Sequence, residues 1–243
     1  MKKFGLIGRN ISYSFSKGYF ADKFINENIV GCTYDVFDLK QIEEVEKVFE
    51  IEDLKGFNVT IPYKQDIIPY LDELSPEAKA IGAVNTVLIK NGKRIGYNTD
   101  CFGFENSLKP LLKSNHNKAL VLGYGGAAKA IIYILNQLDI AYKIVSREKS
   151  EHNLTYSELN EEIIHQHQII INCSPVGTYP NLTESPSIPY QYINSNHILY
   201  DLIYNPEVTQ FLKNGLQNGA IIKNGYEMLV LQAEKSWEIW TIQ

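Results

Sequence analysis

Ala119-Leu120-Val121-Leu122-Gly123-Tyr124-Gly125-Gly126-Ala127-Ala128 is the stretch that decides the fold of this chain. Its first four residues form a continuous apolar run, the pattern of a parallel strand buried on both faces. A glycine-rich turn follows, and then a helix pattern with Ala127, Ile131, Ile134, Leu135 and Leu138 on one side. Strand, glycine turn and helix in that order are the context in which such glycines bind a pyrophosphate. The first glycine allows a tight turn, and the second lets the backbone approach the anion. The helix N-terminus then offers N–H groups and a partial positive charge. Here the motif is G-x-G-G-A-A, and small alanines still permit close helix–strand packing. Gly123, Tyr124, Gly125, Gly126 and Ala127 are therefore candidate dinucleotide-binding residues. The bland alternative is a glycine-rich turn in any doubly wound sheet.

Which dinucleotide is decided at the end of the second strand, about twenty residues on. NAD sites usually carry an Asp or Glu there for the ribose 2′-hydroxyl. This chain reads Ile144-Val145-Ser146-Arg147-Glu148-Lys149. A hydroxyl followed by a guanidinium suits a 2′-phosphate, because Arg binds phosphate bidentately and stacks on adenine. Ser146 and Arg147 thus favour NADP, and Glu148 is the contrary sign.

Outward from the glycine turn, strands are expected at Tyr142 to Ser146, Gln168 to Asn172, Ile198 to Leu202 and Ala220 to Lys223. Tyr226 to Trp240 reads as a terminal helix, and the proline-rich Pro175 to Pro189 as a loop. The first hundred residues alternate again: strands at Phe4 to Ile7, Thr33 to Phe37 and Phe57 to Thr60, and helices at Lys17 to Glu27 and Gln41 to Glu50. Ala83 to Ile89 leads through Asn91-Gly92, a hairpin turn, back along Arg94 to Tyr97. Two α/β lobes joined near residue 100 follow from these patterns. Asn58-Val59-Thr60-Ile61-Pro62-Tyr63-Lys64 places an amide, a hydroxyl and an ammonium where a strand gives out, ahead of a helix-like segment. Pro62 cannot donate a ladder hydrogen bond and so ends the strand or marks an edge.

The 243 residues are 44% hydrophobic and 21% charged, ordinary for a folded soluble protein. A net charge of −5 with no basic cluster gives no electrostatic reason to expect nucleic acid. The apolar runs are far short of a membrane span, and the five-residue patch after Lys2-Lys3 is too short for a secretory signal. Cys32, Cys101 and Cys173 show no metal-ligand spacing and suit reduced thiols in a cytoplasm. His165 and His167 read as surface residues rather than metal ligands, and no metal site is expected.

Eight motifs in order carry a resemblance to a known family. They are Ser12-Tyr13-Ser14, Asn58 to Lys64, Ile81-Gly82-Ala83-Val84-Asn85-Thr86-Val87, Gly96-Tyr97-Asn98-Thr99-Asp100-Cys101-Phe102-Gly103 and the glycine turn. Ile171-Asn172-Cys173-Ser174-Pro175-Val176-Gly177, Asp201-Leu202-Ile203-Tyr204-Asn205-Pro206 and Gly225-Tyr226-Glu227-Met228-Leu229-Val230-Leu231-Gln232 complete the set. Over almost its whole length the chain resembles the shikimate dehydrogenases, which reduce 3-dehydroshikimate to shikimate with NADPH. The resemblance implies an N-terminal α/β substrate-binding domain, residues 1–100 with 225–243, and a Rossmann-type doubly wound NADP domain, residues 101–224. It implies Lys64 and Asp100 as the catalytic pair. Ketone reduction builds negative charge on oxygen, which a nearby proton donor relieves, and an ammonium beside a carboxylate is held in place until it donates.

By the same resemblance Ser12 and Ser14 hold the substrate carboxylate with Thr60 and Tyr204, while Asn85, Asp100 and Gln232 take the ring hydroxyls. Leu202 and Gly225 accommodate the nicotinamide. The expected partners are a small-molecule substrate and NADP, with no nucleic acid and no membrane, in a monomer or homodimer. One departure is plain: Phe15-Ser16-Lys17-Gly18-Tyr19 follows the two serines where the family has Pro and then His-Asn. Alternatives are a quinate/shikimate dehydrogenase using NAD, and a non-catalytic shikimate-binding regulatory relative.

Overall fold

The computed structural model describes residues 1–12 and 14–241. Tyr13, between the two serines, lies outside the described residues, as do Ile242 and Gln243. The chain groups into two compact units, Met1–Thr99 with Gln232–Gln243, and Asp100–Leu231.

The first unit contains β1 (Lys2–Gly8), α1 (Phe15–Asn26), β2 (Cys32–Asp38), α2 (Val45–Phe49) and β3 (Leu54–Val59). It continues with β4 (Glu73–Leu74), α3 (Pro76–Ile81), β5 (Thr86–Lys90) and β6 (Lys93–Tyr97). The strand order is β2-β1-β3-β5-β6-β4. β1 lies parallel to β2 and β3, and β5 runs antiparallel to β3 and β6. Asn91 and Gly92 have φ of 53° and 77°, the left-handed pair that a tight hairpin demands. Because side chains alternate along a strand, Phe4, Leu6, Tyr34 and Leu88 pack on one face with Phe20 and the terminal tryptophans. Ile7, Phe57, Val59 and Val87 pack on the other with Val45, Val48 and Tyr63.

One expectation fails here. The segment after Lys64 is a series of turns ending in a 3-10 turn at Ile68–Tyr70, not a helix. Pro62 and Pro69 leave only six residues between them, too few to repay helix nucleation.

The second unit contains α4 (Asp100–Leu108), β7 (Lys118–Leu122), α5 (Gly126–Gln137), β8 (Ala141–Ser146), β9 (Asn153–Thr155) and α6 (Glu161–Gln166). Next come β10 (Ile169–Asn172), β11 (Ile198–Asp201), α7 (Gln210–Gln217), β12 (Ile221–Lys223) and the terminal α8 (Tyr226–Thr241). Residues 226–231 of α8 group with this unit and the remainder with the first. All six strands are parallel, in the order β12-β11-β10-β7-β8-β9. This is a doubly wound sheet whose strand order reverses between β7 and β10. Ligands bind such sheets at that point, outside the carboxyl ends of the strands. No helix among the described residues is long and apolar enough to cross a membrane.

The opposite, amino ends of β7 and β11 are closed by two copies of one turn. In Lys113-Ser114-Asn115-His116 the Lys113 N–H donates to His116 Nδ1 at 3.0 Å, and the His116 N–H donates back to Lys113 O at 3.0 Å. Asn194-Ser195-Asn196-His197 repeats both bonds, at 3.1 and 3.0 Å. An Nδ1 that accepts leaves the hydrogen on Nε2. His116 Nε2 accordingly meets Asn196 O at 3.0 Å, and His197 Nε2 meets Ile164 O at 3.1 Å. His167 is also buried, contrary to the sequence reading, with Nδ1 2.7 Å from Ile163 O.

Burial pushes His167 and His197 below the ordinary histidine value; Lys118 and Lys143 add to this at His167, and His116 and His165 at His197. Above pH ~6.5 these rings are neutral folded and unfolded. Below it the unfolded chain takes the protons first, so stability falls with pH. Asp201, raised to about 6 by burial, acts in the opposite sense over the acid range. The histidine effect is therefore read as a difference: the gap in Tm between wild type and His197→Gln should narrow as pH falls from 7 to 5. A constant gap would show that His197 titrates alike in both states.

Candidate functional site

In the first unit the candidate residues gather at the carboxyl ends of β1 and β3 and the start of β5. Asp38, the last residue of β2, clasps the loop after β1, accepting from the Asn10 N–H at 2.8 Å and the Ile11 N–H at 3.2 Å. Ser12 is exposed on that loop. Ser14 is the N-cap of α1, its Oγ accepting from the Ser16 N–H at 3.2 Å. The cap uses a lone pair and leaves the hydroxyl hydrogen to donate to an anion. The departing segment after it finds its own packing: Phe15 stacks on Tyr19, whose hydroxyl donates to Glu234 beside the buried Lys23.

Thr60 is tied by its backbone, N–H to Ile7 O at 2.9 Å and O to the Tyr63 N–H at 2.9 Å. Tyr63 is buried, takes the Arg9 guanidinium on its hydroxyl and donates to Leu39 O at 2.8 Å. Its neighbour Lys64 is half-buried, with its carbonyl accepting from the Val84 N–H at 2.7 Å. That bond sets the lysine one residue from the anchor of Asn85. Asn85 is buried, and its Oδ1 accepts from the Thr99 N–H at 2.6 Å. Its Nδ2 donates to Gln232 Oε1 at 3.3 Å, so two of the expected substrate residues meet directly.

In the second unit a cavity of about 700 Å³ opens at the carboxyl ends of β7, β8 and β10. Gly123, Tyr124, Gly125, Ser146 and Arg147 are among the residues that line it. Gly123 has φ 93°, a conformation that favours glycine, with Ser174 3.3 Å from where a Cβ would stand. Gly125 caps α5, and a Cβ on it would meet nothing within 4 Å. Open space at the N-terminus of a helix suits an anion. Gly126 and Ala127 form the first turn of α5 and do not line the cavity.

Ser146 also has a structural part. Its hydroxyl donates to Glu148 O at 2.7 Å and accepts from Asn153 Nδ2, so it shapes the turn that holds Arg147 exposed. Lys149 is paired with Glu158 at 2.6 Å. Tyr156, Cys173 and Ser174 also line the cavity and were not singled out from the sequence. The Ile171-to-Gly177 motif, at a strand end, was the available signal for the last two. Burial pushes the Cys173 thiol far up, so it is an inert wall rather than a nucleophile.

Asn172 Oδ1 holds the Ser174 N–H and hydroxyl, while its Nδ2 donates to the buried Asp201 at 3.0 Å. The Leu202 N–H, next along, donates to Asn172 O at 3.1 Å. Gly225 lies against Leu202, its N–H on Ile203 O at 3.1 Å. Asp100 is buried as the first residue of α4, where a carboxylate suits the helix dipole. Tyr204 is exposed. Among the described residues no cluster of His, Cys, Asp or Glu could hold a metal ion.

Residues 6–87 match the family described as the shikimate dehydrogenase substrate binding domain. The chain is similar to an NADP(+) shikimate dehydrogenase of Clostridium botulinum, 40% identical over 251 residues that cover 98% of this chain and 96% of that one. Its structure is similar to the crystal structure of the Aquifex aeolicus shikimate dehydrogenase, with TM-score 0.85, 35% identity and coverage of 99% and 92%. It is likewise similar to the Thermus thermophilus enzyme in complex with NADP(H) and shikimate, with TM-score 0.87, 28% identity and coverage of 99% and 94%.

A Cβ on Gly225 would stand 2.1 Å from Leu202 O, a backbone atom with nowhere to move. Gly225→Ala should cost about 1–3 kcal/mol and lower Tm by several degrees. Thermal unfolding followed by circular dichroism checks this, and an unchanged Tm would show that the contact yields.

Proposed function

Since the chain belongs to the shikimate dehydrogenase family, we propose that its two units divide one reversible reaction, the first holding the substrate and the second NADP. The chain is an NADP-dependent oxidoreductase that reduces 3-dehydroshikimate to shikimate. The observation that carries the cofactor half is the cavity at the N-terminus of α5, at the switch point of the sheet, with Arg147 on its wall.

NADP fits that donor set. The first N–H groups of α5 would hold the pyrophosphate, and the planar guanidinium of Arg147 would hold the 2′-phosphate. Leu202 and Gly225 make room for the nicotinamide. When bound, NADPH supplies the hydride that reduces the ketone.

As negative charge grows on the ketone oxygen, Lys64 Nζ gives it a proton, and the product is an alcohol. In the reverse direction the neutral amine takes that proton back. Asp100 accepts from a ring hydroxyl, and proton transfer is a property of the Lys64 and Asp100 pair rather than of either alone. The Ser12 and Ser14 hydroxyls donate to the substrate carboxylate, and the hydroxyls of Thr60 and Tyr204 are further donors to it. Asn85 and Gln232 meet ring hydroxyls. These groups are uncharged, and a site that hydrogen-bonds each hydroxyl rejects analogues lacking one. The thiols of Cys32, Cys101 and Cys173 are free, which suits the reducing cytoplasm where we place the enzyme.

Reduction of NADP by shikimate, followed spectrophotometrically with quinate and NAD as controls, tests the reading; no turnover would sink it. Lys64→Ala should lower kcat by about 10²–10⁴-fold while KM for shikimate changes little, and unaltered turnover would remove Lys64 from the mechanism. Arg147→Ala should raise KM for NADP by about tenfold or more, the loss of a charge-assisted bidentate contact. KM for NAD should stay as it was. Equal changes for both cofactors would place the 2′-phosphate elsewhere.

A further inference from the structure

Asp38 ends β2 opposite Gly8 of β1, and the Leu39 N–H donates to Gly8 O at 2.9 Å. The sheet therefore fixes the backbone from which the Asp38 carboxylate reaches out. Each of its oxygens takes one N–H of the loop after β1, Oδ1 that of Asn10 at 2.8 Å and Oδ2 that of Ile11 at 3.2 Å. Asn10 has φ 56°, and a left-handed residue in a turn can bring successive N–H groups together as an anion-binding concavity. Among the described residues neither N–H has another acceptor.

Both serines assigned to the substrate carboxylate hang from Ile11. Ser12 follows it by one peptide bond, and the Ser14 N–H donates to Ile11 O at 3.0 Å. The Ile11 side chain is buried in one apolar cluster with Leu6 and Phe20. Such burial is non-directional: it anchors the residue but does not orient its peptide planes. Upstream, the Arg9 N–H is held by Ile61 O at 3.1 Å. Between that bond and the Ser14 turn, the directional hold on the loop is the Asp38 carboxylate. An amide could not replace it, because Asn has one oxygen and would set its NH₂ against the second N–H.

We propose that Asp38 is a positioning residue for recognition of the substrate carboxylate, orienting the Ser12 and Ser14 hydroxyls through the Asn10 and Ile11 N–H groups. The inference rests on the reading that these serines meet that carboxylate. Asp38 acts through the loop backbone. The carboxylate of the substrate is unchanged by the reaction, so its contacts serve ground state and transition state alike. Their loss is then felt in KM and not in kcat.

The test is steady-state kinetics of the full chain carrying Asp38→Asn and, separately, Asp38→Ala. The substrates are shikimate and its methyl ester, in which a neutral ester replaces the anionic carboxylate. Asp38→Asn should raise KM for shikimate by about tenfold, the worth of one charge-assisted hydrogen bond, and Asp38→Ala by at least as much. In both variants kcat and KM for NADP should stay within about twofold. The preference for the acid over the ester should shrink by about tenfold, because misdirected serines no longer reward the anion. Asp38→Asn keeps the side-chain shape, so it decides the matter if Asp38→Ala does not fold. An unchanged preference for the acid, or a KM for NADP that rises as much as that for shikimate, would overturn the positioning role and leave the family reading standing. Wild-type protein that used the ester as well as the acid would remove the serines from carboxylate recognition, and this inference with them. Wild-type protein that failed to oxidise shikimate with NADP would overturn the family reading as well.

Discussion

Burial of β7, β10 and β11 on both faces is the constraint that organises the second unit. Ala119 to Leu122, Ile169 to Ile171, and Ile198 to Tyr200 are all fully buried. Buried parallel strands of this kind leave little room for polar groups along their length. The polar chemistry is pushed to the strand ends. At the carboxyl side Asn172 and Asp201 are the last residues of their strands, bonded to each other. Thr209 caps α7 and donates to Asp201 at 2.6 Å. At the amino side stand the two histidine turns. A sheet polarised in this way offers helix N-termini and strand-end loops on one edge only, and the cavity opens there.

The first unit solves a different problem. Its mixed sheet admits Asn58, Asn85, Thr86 and Thr99 into the interior, all of them buried. An unsatisfied buried donor or acceptor costs about 1–3 kcal/mol, so each has to be answered by another. Ser236 supplies part of the answer from α8, its Oγ lying 2.9 Å from Asn58 Nδ2, 2.7 Å from Thr86 Oγ1 and 3.1 Å from Thr99 Oγ1. Charge in the proposed substrate set is thereby confined to Lys64 and Asp100, where a proton has to move. Neutral groups fixed by one another can select hydroxyls without attracting anions indiscriminately.

What could be read from the sequence follows from these same facts. The apolar run before Gly123 announced a doubly buried strand, and Asn91-Gly92 announced a hairpin, because both are local patterns with one physical solution. α6, at six residues, is too short to register against its polar surroundings. His167 was misjudged because its neighbours Gln166 and Gln168 are polar; its burial comes from the sheet, not from the segment. Ser146 was read as a cofactor residue, and only its bond to Glu148 O shows that it also shapes the turn. Ser236 left no trace in sequence, since a lone serine in a helix has meaning only through its partners across the fold.

The turn after β8 shows how cofactor preference can rest on few atoms. Glu158 closes a capping box with Thr155 and takes Lys149, and these contacts hold its carboxyl down to about 2. The pair therefore persists across the physiological range, and Lys149 is committed to its neighbour. Asn153 and Ser146 tie the backbone at Glu148. Arg147 is left as the cation this turn presents at the cavity. A guanidinium has a flat, two-pronged donor set that matches a phosphate and has no comparable match in a ribose hydroxyl. On the proposed reading, discrimination between the two dinucleotides would come from the geometry of the Arg147 side chain, presented by a turn that neutral hydrogen bonds hold in shape.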